Sequence, residues 1–563
     1  MSASQRRELT LRSVIVSLIV AALVGASYPY TVLKLGYGPN IAVVSAFFGF
    51  IIISVAGALG GARGTRWEVN LVQAAGTSAG QVAFMCVVLA ALDMLNARPG
   101  LGFAVHLSVW QTFSWLTVAG LIGVLLAVPL RHHYIDEENL TFADGMAAGE
   151  SLLVLDQGPK QAGPRIASLG VGLGASALLA VMRDKWKLFP DTITFGPNGA
   201  ALHMGAEISL LSFGSGMLIG PRVALSMGLG LIISWIVAPP MLAARGIVPE
   251  ISFPAVLRWV MWPATGFMVA SGLTALLLKW KLVANTVRGL STTNIEATDF
   301  PLRYVIGGVS VLSVLLCLLQ KYSLGFPIWL TVVSLVLSVF LMLVGIRVLG
   351  ETSWAPVSAM ANLMQAVFAA ISPGNMVTNM IGSGMSASVA INGETLMQTY
   401  KSGKIVGSSN RNITIMQLLG IPIGALAVAL VYPVLRAKYG IGGAGLSSPI
   451  SVKWAGFAEI LNHGFSQLPQ GCLAALLVAV VLGSVISALE PRYAHFLPSP
   501  TAVGIGMLIP GATIMPMVAG GVFQWLWAKS SPRTEEVYCL PGASGLIAGE
   551  ALAVLVFAIQ AML

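Results

Sequence analysis

Four carboxylates stand where a chain this apolar should have none. Glu150 closes ADGMAAGE, Glu207 follows His203 by four residues, Glu394 lies in INGETLMQTYKSGKIVGSSNRNITIMQLLG (391–420), and Glu550 sits in GLIAGEALAV. An acid inside a bilayer is costly, so it is paired, neutralised or exposed to a wet cavity. A carrier driven by protons needs such a titrating group. Glu150, Glu207, His203 and Glu550 are therefore candidate proton-coupling residues. The competing reading for each carboxylate is a structural acid satisfied by a neighbouring helix. On a helix, His203 and Glu207 would share a face, as a proton relay or as a local hydrogen-bonded pair.

Uncharged polar groups form a second set. Asn70, Gln73, Thr77, Ser78 and Gln81 lie along one segment, and Asn362 and Gln365 precede Ser372, Pro373, Gly374, Asn375 and Asn379. Helices broken by Pro and Gly free backbone groups for a ligand, and neutral donors and acceptors suit a peptide or a metal chelate. Interhelical hydrogen bonding is the competing role. In 391–420, the spacing of Glu394, Gln398 and Lys401 puts all three on one helix face. Gly403 and Gly407 should then end that helix, and Ser409 or Asn412 should cap the next. Residues 401–411 fit a solvated loop, whereas Glu394 and Gln398 fit a pathway lining. The candidate substrate-binding residues are Glu68, Asn70, Gln73, Asn375, Asn379, Glu394 and Gln398.

Several chemistries find no support. Cys86, Cys317, Cys472 and Cys539 stand far apart, with no metal-ligand or disulfide spacing. His132 and His133 are adjacent, which suits a loop better than a metal site. The glycine-rich runs 214–220 and 504–511 follow no strand and lack the lysine of a phosphate loop, so nucleotide hydrolysis is unsupported. No nucleophile stands with a base, and no cofactor is implied. A channel, the other alternative, would more often show a repeated filter sequence.

The elements that must hold these residues are membrane spans. The chain has 563 residues, 56% hydrophobic and 9% charged, against about 25% charged in a soluble domain. With spans needing about 20 apolar residues each, it divides into about 16. The expected fold is all-α and polytopic, in two related halves with re-entrant or broken helices. Residues 1–278 form the first half, 279–303 a polar linker, and 304–563 the second. Residues 199–219 read as an apolar helical segment, and 140–157 and 391–404 as short or re-entrant helices. Arg6, Arg7 and Arg12 precede the first span, Arg63 and Arg66 follow the second, and Arg131 follows the fourth. This places both termini in the cytoplasm, in a plasma (inner) membrane, with an uncleaved first helix. The basic residues lie between apolar runs, which fits lipid rather than nucleic acid as the partner. The sequence leaves a homo-oligomer open.

The halves echo each other. Asn70-Leu-Val-Gln73 recurs as Asn362-Leu-Met-Gln365, Gly214-Ser-Gly-Met-Leu-Ile219 as Gly504-Ile-Gly-Met-Leu-Ile509, and Ala270-Ser-Gly-Leu273 as Ala543-Ser-Gly-Leu546. Such repeats are a transporter signature, with the solute near the midplane where the halves meet.

The chain resembles the oligopeptide transporter family, in its yellow stripe-like and bacterial branch, from about residue 15 to 560. The resemblance rests on LKLGYGPNIAVVSAFFGF (33–50), TRWEVNLVQ (65–73), LTFADGMAAGESL (140–152) and FGSGMLIGPRVALSMGLGLIISW (213–235). It continues through LMQTYKSGKIVGSS (396–409), GFSQLP (464–469), LPSPTAVGI (497–505) and ASGLIAGEAL (543–552). It implies a secondary, proton-coupled symporter of small peptides, peptide-like compounds or chelated metals, built from two halves of eight spans. Where the yellow stripe-like pattern has an aspartate before the aromatic residue, this chain has Thr399 before Tyr400. A coupling role for that aspartate does not transfer.

Overall fold

The computed structural model describes residues 8–562 apart from 36–40, 59–63, 99–102, 158, 279–299, 353–354, 356, 442–445, 447, 463–468 and 494–495. The helices before residue 279 are α1 (Leu11–Leu35), α2 (Ile41–Ala58), α3 (Arg66–Phe84), α4 (Cys86–Asn96), α5 (Val109–Ala127), α6 (Ala143–Gln157), α7 (Pro159–Ala180), α8 (Leu210–Leu231), α9 (Ala238–Ala244) and α10 (Phe253–Leu278). Those after residue 300 are α11 (Leu302–Leu324), α12 (Ile328–Thr352), α13 (Val357–Ile371), α14 (Met376–Val406), α15 (Asn410–Tyr439), α16 (Pro449–Asn462), α17 (Cys472–Tyr493), α18 (Pro500–Leu508), α19 (Gly511–Ser530) and α20 (Pro532–Met562).

The fold is all-α and polytopic. Ten helices among the described residues are long and apolar enough to cross a bilayer. Others in the expected count, such as α13 and α18, are shorter than a span. The expected linker lies mostly at 279–299, outside the described residues. Apolar side chains face outward on α11 (Val311, Val314) and α17 (Leu477, Val481). In water such surface would be a liability; against acyl chains it is at home.

Two expectations are corrected. Residues 199–219 are not one helix. A short antiparallel hairpin pairs β1 (Thr192–Thr194) with β2 (Gly205–Glu207), Thr192 opposite Glu207, and α8 begins only at Leu210. Residues 376–406 do not divide into an apolar span and a half-polar piece; they form one helix, α14.

That helix is the axis of the packing. α3, α5, α6, α12 and α13 all lie against it, and almost every residue from Met376 to Gly403 is buried. Small residues permit the approach. A Cβ on Gly123 of α5 would collide with the Val389 carbonyl of α14. In lipid, where apolar surface gains little by pairing, such backbone proximity supplies the dispersion energy that holds helices together.

Candidate functional site

α14 carries its polar residues inward. Asn375 caps its start, its side-chain oxygen accepting from Thr378 N–H at 3.0 Å. Gly407 ends it in the left-handed region, φ 80°, which glycine enters at no steric cost. Gly403 does not break the helix. Lys401 and Lys404 are therefore helical rather than in a solvated loop, and the turn is confined to 407–409. Ser409 is the next N-cap, while Asn412 donates instead to Glu8 Oε2 at 2.8 Å.

The shared face of Glu394, Gln398 and Lys401 meets α6 and α12. Gln398 Nε2 donates to Asp144 Oδ2 at 3.3 Å, and Lys401 Nζ to Asn139 Oδ1 (3.0 Å) and the Leu140 carbonyl (2.7 Å). Glu394 is 3% exposed. Its carboxyl lies over Gly345 of α12, where a Cβ would collide with Oε1, and Oε2 has no hydrogen-bond partner among the described residues.

At the C-terminal end of α14 a buried amide network joins α3. Asn70 Nδ2 donates to Gln73 Oε1 at 2.7 Å and to Ser402 Oγ at 3.1 Å, and Ser402 Oγ donates to Gln73 Oε1 at 2.9 Å. From α15, Gln417 Nε2 donates to Thr399 Oγ1 at 2.7 Å. Glu68 is engaged otherwise: it completes the capping box of α3 with Thr65, accepts from Thr10 Oγ1 at 2.6 Å, and pairs with Arg12.

At the N-terminal end the sequence echo of Asn70 and Gln73 appears. On α13, the Gln365 carbonyl accepts from Asn379 Nδ2 at 2.9 Å, and Gln365 Nε2 approaches Met380 Sδ (3.1 Å) and the Trp454 carbonyl (3.2 Å). The Asn70–Gln73 pair and Gln365 thus contact opposite ends of one helix. From Asn379 to Ser402 is 402 − 379 = 23 residues, or about 34 Å at 1.5 Å per residue. That is close to the thickness of a bilayer core, about 30 Å.

Further candidates gather elsewhere. Glu550 accepts from Arg183 Nη1 (2.9 Å), Ser209 Oγ (3.1 Å) and Leu211 N–H (2.9 Å). Glu207 belongs to the same neighbourhood. Burial, and then the Glu550 carboxylate, push the Glu207 carboxyl above the usual range, partly offset by Arg183. His203 does not share a helix face with it. His203 lies between the hairpin strands at φ 51° and stacks on Phe253, ring centroids 4.8 Å apart. Burial and nearby Lys453 lower its pKa. Glu150 is buried on α6, which packs against both α14 and α20. No set of three or more His, Cys, Asp or Glu residues suited to a metal occurs among the described residues.

Sequence reasoning missed Asp144, which sits six residues before Glu150 in the same motif. It also missed Arg347, whose signal was a lone cation inside an apolar run. Arg347 contacts Glu138 (2.6 Å), Glu351 (2.9 Å) and Glu490 (3.8 Å), and Arg222 Nη2 holds Glu490 from the other side at 3.0 Å. This hub ties Glu138 and Arg222 to Arg347, Glu351 and Glu490, far along the chain.

Comparison with known proteins agrees with this architecture. The family model described as OPT oligopeptide transporter protein matches residues 8–561. A Saccharomyces cerevisiae protein named as a candidate oligopeptide transporter is 28% identical over 288 residues, 48% of this chain but only 39% of that protein. The iron-phytosiderophore transporter yellow stripe 1 of Zea mays is 23% identical over 634 residues, 98% of this chain and 90% of that protein. A metal-nicotianamine transporter of Arabidopsis thaliana is 23% identical over 640 residues, 98% of this chain and 93% of that protein.

Proposed function

The chain belongs to the oligopeptide transporter family, and from that premise we propose that it is a secondary active carrier coupling proton entry to uptake of a small peptide or a peptide-like metal chelate. It is a membrane transporter and not an enzyme. The observation that carries the coupled reading is Glu394. A carboxyl that is 3% exposed with an unpartnered oxygen is stable uncharged and very costly charged. Binding and release of its proton therefore favour different packings of α14 against α12. Gln398 and Asp144, one helical turn on, join it as polar lining. Asn70, Gln73, Asn375 and Asn379 offer neutral hydrogen-bonding groups to the solute at the two ends of α14.

Glu207, beside Glu550 and Arg183, is a second candidate for the proton pathway, with His203 at its margin and Glu150 on α6 as further candidates. In this reading, two halves of eight spans meet at α14, in a plasma (inner) membrane with cytoplasmic termini. Relatives named for metal–nicotianamine and iron–phytosiderophore transport support a chelate cargo, and the family description supports a peptide. Uptake into proteoliposomes under an imposed pH gradient tests the coupling. Accumulation that collapses with a protonophore is expected; accumulation indifferent to one refutes symport.

A further inference from the structure

A small pocket opens between the start of α5 and the end of α11, with Ser114, Trp115, Gln320 and Ser323 in its wall. It has about 10 Å³ of room for a water-sized group, enough for one oxygen and too little for a transported solute. At its rim Gln111 Nε2 donates to the Ser323 carbonyl at 3.1 Å and joins the two helices. Two of the wall residues, Trp115 and Gln320, are at most 2% exposed. The Trp115 indole N–H and the Gln320 NH2 both lack a partner among the described residues. The Gln320 oxygen accepts from Thr331 Oγ1 at 2.7 Å. That is the length of an O–H···O bond rather than an N–H···O bond, so the NH2 is the end left over. Two unmet donors in one pocket call for a single acceptor oxygen. A water there would accept from both and then need two acceptors of its own. A carbonyl oxygen accepts twice and leaves nothing unmet.

The surroundings say which carbonyl. Trp110 in the first turn of α5, Tyr322 in the last turn of α11 and Trp329 in the first turn of α12 are all exposed. Such aromatic residues mark the level of lipid headgroups. Lys321 stands among them, its Nζ 5.6 Å from the Tyr322 ring, and no carboxylate pairs with it among the described residues. Trp115 is five residues on from Trp110, about 7 Å further in at 1.5 Å per residue. Beside the pocket, Val311, Leu315, Leu318 and Tyr322 are exposed along one stripe of α11.

We propose that the pocket seats one acyl-ester carbonyl of an anionic phospholipid. The carbonyl accepts from Trp115 and Gln320, the acyl chain lies along the α11 stripe, and the phosphate lies by Lys321. The inference goes beyond the transport reading and does not depend on it. Trp115 also bears on α14, where a Cβ on Gly384 would come 3.3 Å from its ring. The lipid is thus one side chain away from the central helix.

The test uses native mass spectrometry of the full chain in detergent and two probes, phosphatidylglycerol and its diether analogue. The analogue keeps headgroup and chains and lacks the ester carbonyls. Wild type is expected to retain the ester lipid about tenfold better, the worth of about one good hydrogen bond. Trp115→Phe and Gln320→Leu should each bring ester retention down toward the ether level and leave the ether lipid nearly unchanged. A merely structural role would move both lipids together. Lys321→Ala should weaken both lipids alike, and excess inorganic phosphate should displace neither. Equal retention of the two lipids by wild type overturns the site, whether or not the variants fold. So does an ester preference that survives in both folded variants, displacement by phosphate alone, or density showing only an ordered water between Trp115 and Gln320 in the lipid-bound protein. Unchanged retention in Lys321→Ala overturns the placement of the phosphate.

Discussion

Replacing Arg347 by methionine removes the only group that answers three carboxylates at once in the hub. Arg347 is 11% exposed at its side chain, and its partners Glu138, Glu351 and Glu490 are 5%, 12% and 16% exposed. Breaking a buried ion pair from one side costs about 3–5 kcal/mol, because the other charge is left unmet. Here the loss is partly cushioned. Glu490 keeps Arg222, Glu138 keeps His133 Nε2 at 3.3 Å, and Glu351 keeps Ser499 Oγ at 2.7 Å. The low end, about 3 kcal/mol, is therefore expected. Arg347→Lys should lose less but not be silent, since one ammonium cannot reproduce the guanidinium fork. Thermal denaturation of the purified carrier, followed by tryptophan fluorescence, ranks the variants. Adding Glu138→Gln to Arg347→Met should restore part of the loss, with a coupling of about 1–3 kcal/mol. An Arg347→Met protein within about 0.5 kcal/mol of wild type, as for an ordinary surface change, would refute the claim that the hub holds these distant segments together; so would strictly additive losses.

Glu394→Gln keeps the shape of an uncharged carboxyl, so stability should change by less than about 1 kcal/mol, while uptake in vesicles loses its dependence on pH. Gly345→Ala drives a methyl into the Glu394 carboxyl and should cost about 1–3 kcal/mol as overpacking, measured by thermal shift, with relief when combined with Glu394→Ala. Burial and the Glu550 carboxylate raise the Glu207 carboxyl above its ordinary 4.5, so the folded protein holds that proton more tightly than the unfolded chain. The stability it contributes is complete below about pH 4.5 and declines as pH rises through the folded value; Glu207→Gln should flatten that decline in melting curves taken across pH.

The membrane class, the helical architecture and the inward polar face of α14 were legible because composition and periodicity record them directly. Glu394, Gln398 and Lys401 fell on one face as their spacing required. What failed were breaks inferred from single residues. Gly403 sits inside α14 because α15 packs there: Ile413 would meet any Cβ on it. Residues 199–207, read as the start of a span at 199–219, belong instead to a hairpin, turned by Gly196 at φ 78° and His203 at φ 51°. The hub was hidden for another reason. Arg347 and Glu351 are four residues apart on one helix, but Glu138, Arg222 and Glu490 are distant from them in sequence, and each reads singly as a loop or interfacial charge. Ion pairs between halves leave no periodic trace. The likeness of Asn70-Leu-Val-Gln73 to Asn362-Leu-Met-Gln365 is visible in the sequence, and the structure sets the two at opposite ends of α14.

The most direct test of a proton-coupled carrier organised on α14 is trialanine and iron-chelate uptake into proteoliposomes with an inward proton gradient, for wild type and Glu394→Gln side by side. Wild type should concentrate at least one of the two solutes and lose that gradient on adding a protonophore, and the variant should only equilibrate it. Concentration of solute by Glu394→Gln at the wild-type level and with the wild-type pH profile would contradict the account.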